Sequence, residues 1–171
     1  MESEVDMQHE SVKEGFMPYI TADLNQNEQE VIDKALAILQ RKLRITGESL
    51  TSPNVVRDLL RLKMATLEHE VFCVLFLDSQ HCLIAFEEIT KGTLNQAAVY
   101  PREIIKRALH YNCAAVLLGH NHPSSNPEPS VSDKKLTETL KSALALVDVR
   151  VLDHFIVGGM KIVSFAEQGL I

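Results

Sequence analysis

Apolar residues along the chain recur at two periods, and the period of each run predicts its element. Val31, Ala35, Leu39 and Leu43 lie near helical spacing, so residues 27–44 read as an amphipathic helix. Its basic end, Arg41-Lys42-Leu43-Arg44, suits the negative pole of the helix dipole. Ser52-Pro53 opens a second helix with Val56, Leu59, Leu60 and Leu62 as its apolar side, and this helix is expected to cover a sheet. Residues 70–78 and 81–89 read as an antiparallel pair turning at Asp78-Ser79-Gln80. Pro101 starts a helix through Ile104, Ile105 and Leu109. Residues 114–118 form an unbroken apolar run of strand length, the pattern of a strand buried on both faces. A long helix reaching about Val147 follows, then strands at 149–157 and 162–164 joined through Gly158-Gly159. The order predicts an α/β (α+β) fold, a mixed and largely antiparallel sheet flanked by helices.

Composition divides the chain into zones. With 171 residues and 46% hydrophobic content, there is enough apolar material for one compact domain plus an appendage. Residues 1–33 carry nine acidic side chains against one lysine, about −8, whereas residues 34–171 carry fourteen acidic and sixteen basic, about +2. The acidity therefore belongs to the start of the chain. Residues 1–25 lack periodicity and read as an acidic flexible arm, 26–66 as a helical extension, and 67–171 as the main folded domain. An acidic arm discourages nucleic acid, the near-neutral body neither invites nor excludes it, and residues 1–60 hold no Gly-rich hairpin suited to DNA. No signal peptide or membrane span is visible. Cys73, Cys82 and Cys113 are odd in number and lack metal-ligand spacing, so they read as reduced residues in a cytoplasmic protein.

The chemistry concentrates in His120-Asn121-His122-Pro123, with Ser130 and Asp133 following. If the strand before them stays extended, His120 and His122 point to one side, and Pro123 favours that backbone. Asp133 would add a carboxylate, giving three zinc ligands and an open fourth position for water, as catalytic zinc requires. Ser130-Val131-Ser132-Asp133 equally matches a helix capping box, with Ser130 as N-cap. Spacing alone leaves both readings open. The adjacent His-Asn-His letters do not make an HNH nuclease, whose residues are dispersed through a ββα-metal element. His154 reads as a core hydrogen-bonding or site-supporting residue; His9, His69, His81 and His110 are assigned no chemistry. Arg102 reads as a structural ion-pair residue.

The pattern His-x-His-Pro-x6-Ser-x-x-Asp resembles that of the JAB/MPN (JAMM) metalloproteases, and more closely their RadC-like branch. The resemblance runs from about Leu67 to Ile171. It rests also on Glu70-Val71-Phe72, Phe76-Leu77-Asp78, Gly92-Thr93-Leu94, Val99-Tyr100-Pro101-Arg102-Glu103, Asp153-His154 and Ser164-Phe165-Ala166. It implies zinc held by His120, His122 and Asp133, with Ser130 beside the catalytic water and oxyanion. The family's distant glutamate matches Glu70, which precedes a strand and would act as general base and then general acid. Glu87 and Glu88 are competitors for that role. The implied activity is a zinc-dependent metallopeptidase or isopeptidase that hydrolyses amide bonds through zinc-activated water, with a protein or peptide substrate. The alternative is a non-catalytic MPN scaffold or DNA-repair-associated module with a structural zinc site. Ser124-Ser125-Asn126 departs from the family's Ser-Gly, which strains the loop only if that position needs a positive φ.

Overall fold

A computed structural model describes residues 25–45, 53–91 and 99–171. The acidic arm before Asn25, the Gly92-Thr93-Leu94 segment and the side chains of the basic end of the first helix lie outside the described residues. The elements are α1 (Gln26–Ile45), α2 (Pro53–Met64), β1 (Val71–Leu77), β2 (Leu83–Lys91), α3 (Pro101–His110), β3 (Ala115–Asn121), α4 (Val131–Ala145), β4 (Arg150–Gly158) and β5 (Lys161–Ser164). The strands form one sheet in the order β2-β1-β3-β4-β5. All neighbours are antiparallel except β3 and β4, which run parallel. That exception has a chain-length cause: parallel neighbours need a crossover, and α4 supplies it. The expected α+β class with a mixed, largely antiparallel sheet is what the chain adopts.

β3 is central and buried along its whole length, which explains its unbroken apolar sequence. Its side chains alternate between two cores. Ala115 and Leu117 meet Leu59, Leu60 and Met64 of α2, where Leu36 of α1 joins them. Val116 and Leu118 meet Phe72, Phe76, Ile104 of α3 and Leu140 of α4. Full burial of a side chain such as Leu60 stabilises the fold by roughly 1.5–3 kcal/mol. The sheet and α2 pack closely at Gly119, where a Cβ would lie 2.9 Å from Cys73 Sγ and 3.1 Å from a Leu60 methyl. Cys73 and Cys113 are buried, Cys82 is half-buried, and all three are unbridged. No described helix is long and apolar enough to cross a membrane.

Candidate metal centre

The polar end of β3 is where the sheet's one parallel crossover begins. His120 is the penultimate residue of the strand and is 1% exposed. The chain stays extended past Asn121, because the His122 amide donates to the Val157 carbonyl of β4 at 2.8 Å. The two imidazoles consequently converge, with Nε2 atoms 3.0 Å apart. α4 then brings Asp133 to them: Oδ1 lies 3.3 Å from His120 Nε2 and Oδ2 lies 3.5 Å from His122 Nε2. The capping box is present as well. Ser130 Oγ accepts from the Asp133 amide at 3.1 Å, and the Ser130 amide donates to Asp133 Oδ2 at 2.8 Å. The cap and the three-residue cluster are thus one arrangement, in which capping aims the carboxylate at the histidines.

The outer hydrogen bonds assign the ring protons. His122 Nδ1 lies 2.7 Å from the Asn126 carbonyl, which can only accept, so the proton sits on Nδ1. On the other ring, His120 Nδ1 lies 2.8 Å from His154 Nε2. His154 Nδ1 lies 2.7 Å from Thr137 Oγ1, whose own proton goes to the Asp133 carbonyl at 2.7 Å. Thr137 therefore accepts from His154 Nδ1, His154 Nε2 accepts from His120 Nδ1, and His120 presents a bare Nε2 to the cluster. Burial holds His154 well below the usual histidine range and keeps it neutral, as this relay requires.

Two imidazole lone pairs and a carboxylate facing one another at 3.0–3.5 Å call for a cation between them. The spacing suits zinc, since ligands at about 2.0–2.1 Å in a tetrahedron stand about 3.3 Å apart. Among the described residues these three are the one His/Cys/Asp/Glu group so arranged. Electrostatics agree. The Asp133 hydrogen bond raises the His122 pKa against the effect of burial, and the Asn126 carbonyl and the Asp133 and Glu70 charges add to the rise. Burial alone would raise the Asp133 carboxyl, but its contacts with the His120 and His122 rings and the hydrogen bond from Ser130 outweigh it and hold that group far below the carboxylate range.

The three glutamates separate by position. Glu70 is half-buried, one residue before β1. By alternation it shares the side of Phe72, whose ring stacks on His120 with centroids 6.1 Å apart. Glu87 is engaged by Arg107 at 2.6 Å and by the Tyr111 hydroxyl. Glu88 interacts with Lys63 and His69, and burial raises its pKa. Lys63 belongs to α2, on the opposite side of the sheet from His120. Ser130 is exposed at the mouth of the cluster; its hydroxyl accepts from Asp133 and keeps its own proton for another acceptor. Arg102 is exposed and lies 3.6 Å from Glu103.

Sequence reasoning missed Thr137 and the Asn126 carbonyl. Thr137 was findable, because it lies one helical turn after Asp133 on the same face; Asn126 acts through its backbone and left no signal. Asp153 has a supporting part too. Its carboxylate accepts from the amides of His154 and Ala166 and from the Ser164 hydroxyl, while Phe165 packs on the His154 ring. The loop between His122 and Asp133 is pressed against β4 at Gly158, where a Cβ would stand 2.6 Å from Pro127 N. Ser125, at the departure from the family pattern, has φ of 60°, so a side chain occupies a position that favours glycine.

The fold and the His-His-Asp cluster at a parallel crossover define a JAB-type domain with a candidate metal site. The model of the RadC-like JAB domain matches residues 50–170, and the chain belongs to that family. It is 63% identical over 120 residues to a UPF0758 protein of Methylibium petroleiphilum, covering 70% of this chain and 54% of that protein. It is 50% identical to the UPF0758 protein YkfG of Escherichia coli over 155 residues, 91% of this chain and 98% of YkfG. With YfjY of Escherichia coli it shares 52% identity over 143 residues, 84% of this chain and 89% of YfjY. The chain thus spans about half the length of the longer relatives and nearly all of YkfG.

Proposed function

We propose that this protein is a zinc-dependent hydrolase of amide bonds, a peptidase or isopeptidase acting on a protein or peptide. The observation that carries the reading is the unshared donor set: His120 Nε2, His122 Nε2 and the Asp133 carboxylate converge at tetrahedral spacing with both ring protons drawn outward. A zinc ion held there would polarise a carbonyl and lower the pKa of a coordinated water to about 7. A structural zinc site is closed by four protein ligands, whereas three protein ligands with an open position suit catalysis. His154 cannot supply the fourth, because its Nε2 is occupied by His120 Nδ1.

The chain's own groups would then divide the work. Glu70, on the same side of the sheet as His120, takes a proton from the attacking water and returns it to the leaving amine. Ser130 donates its hydroxyl proton to the oxygen that becomes negative as the carbonyl is attacked.

Zinc content measured on tag-free wild type and His122→Ala, together with hydrolysis of a pool of quenched fluorescent peptides and isopeptides, tests the proposal. Expected are zinc in wild type, little in His122→Ala, and a rate loss of about 10²–10⁴-fold in zinc-loaded Glu70→Gln. Full activity in Glu70→Gln would remove that residue from the reaction. Zinc binding with no hydrolysis of any member of the pool would favour the scaffold reading.

A further inference from the structure

Asn121 stands between the two histidines, yet its side chain points to the opposite face of β3 from His120, and it is 2% exposed. There it grips the chain on both sides of Glu70. Oδ1 accepts from the Val71 amide at 2.8 Å, and Nδ2 donates to the His69 carbonyl at 2.9 Å, with the Leu67 carbonyl at 3.4 Å. Residue-by-residue pairing of β1 with β3 runs only as far as Phe72 opposite His120. One step further on, the side-chain amide takes the place of a backbone rung.

We propose that Asn121 is the positioning residue for Glu70, fixing the peptide units that flank it and so placing its carboxylate relative to the two metal-binding histidines. The inference rests on the reading of Glu70 as proton carrier. The chemistry of the side chain supports it, since both an acceptor and a donor are needed on one planar group. Aspartate retains only the acceptor and leucine neither. The backbone of Asn121 extends directly into His120 and His122, so one residue ties the ligand-bearing strand to the segment that carries the base. A displacement of even about 1 Å in a reacting group can cost roughly 100-fold in rate.

The test uses the full chain loaded with cobalt(II), whose paramagnetism shifts the NMR signals of nearby nuclei according to their position. Glu70 side-chain and backbone shifts are compared in wild type, Asn121→Leu and Asn121→Asp. Expected is cobalt uptake with an unchanged visible spectrum in all three, and a Glu70 paramagnetic shift that collapses in Asn121→Leu and falls part-way in Asn121→Asp. Shifts at Ile156 of β4, opposite His120, stay as in wild type. On the peptide pool, Asn121→Leu loses about 100-fold, and adding it to Glu70→Gln costs nothing further, because both remove one contribution. An unchanged Glu70 shift in folded Asn121→Leu overturns the proposal while leaving the hydrolase reading intact. Should Asn121→Leu fail to fold, a wild-type Glu70 shift in Asn121→Asp does the same. No cobalt uptake by wild type overturns the hydrolase reading itself, and this inference with it.

Discussion

The two faces of β3 carry the same strand in opposite uses. Toward α2 it is closed by apolar contact at Leu117 and Gly119, with the Asn121 amide as its one polar element. Toward α3 and α4 it starts apolar with Val116 and Leu118 and ends in the His120 network. The first face holds the fold and the second spends burial on a relay that draws the His120 ring proton outward and leaves its Nε2 bare toward the cluster. A buried polar group is tolerated only when its partners are complete, and the relay through His154 and Thr137 completes them. Substitutions on the α2 face should therefore change stability without changing metal affinity, and those on the other face should change metal affinity out of proportion to stability.

The largest expected effect lies on the α2 face. Leu60→Ala should cost about 2–5 kcal/mol in urea unfolding, with the zinc affinity of the folded fraction as in wild type. A parallel fall in zinc affinity would merge the two faces into one unit. Next comes Thr137→Val, which keeps the shape but takes away the acceptor of the His154 proton. Competition with a chromogenic chelator should show zinc binding weakened by about 10–100-fold. Unaltered affinity would mean that the relay orients nothing.

The pH dependence is a subtler difference, and it should invert with metal. His122 is more basic folded than unfolded, so in metal-free protein its contribution to stability is complete below about 6.5 and is lost as pH rises through its raised value. Asp133 has the depressed pKa, so its contribution is complete above about 4 and is lost as pH falls toward the folded value. Buried His154 acts in the acid direction as well, since its depressed pKa removes stability as pH falls below about 6.5, so thermal melts in chelator should show greatest stability near pH 6.5 and a decline as pH rises from there. Zinc requires the unprotonated ring, so the gain in melting temperature on adding zinc should grow across the same rise in pH. A zinc effect independent of pH would exclude His122 from the ligand set. The smallest effect is expected at Ser125→Gly, which relieves the left-handed backbone and should stabilise by about 1 kcal/mol. A loss of stability there would show that the serine side chain supports the loop.

Much of this was legible in the residues. Helical spacing placed α1 and α2, the apolar run placed β3, and Pro101 marked the first residue of α3. His-x-His-Pro and Ser-x-x-Asp marked the cluster because period-two alternation and a helix N-terminus are local properties, each contained within a few residues. The choice among Glu70, Glu87 and Glu88 was not legible. It turns on which side of the sheet each residue meets, and a bulge between Phe72 and Cys73 shifts the register of β1 against β2. His154 stood out only as a supporting residue, since its partner His120 lies on another strand, 34 residues away.

The order of elements, the two convergent histidines and the cap that starts α4 are local outcomes, because each depends on backbone periodicity over a short span. Tertiary contacts set the rest: the capping carboxylate of Asp133 also faces both histidines, His154 and Thr137 set the protons of His120, and Asn121 holds the chain around Glu70. Those are contacts between segments far apart in the chain, and they exist because the parallel crossover through α4 and the pairing of β1 with β3 bring distant residues to one end of the sheet.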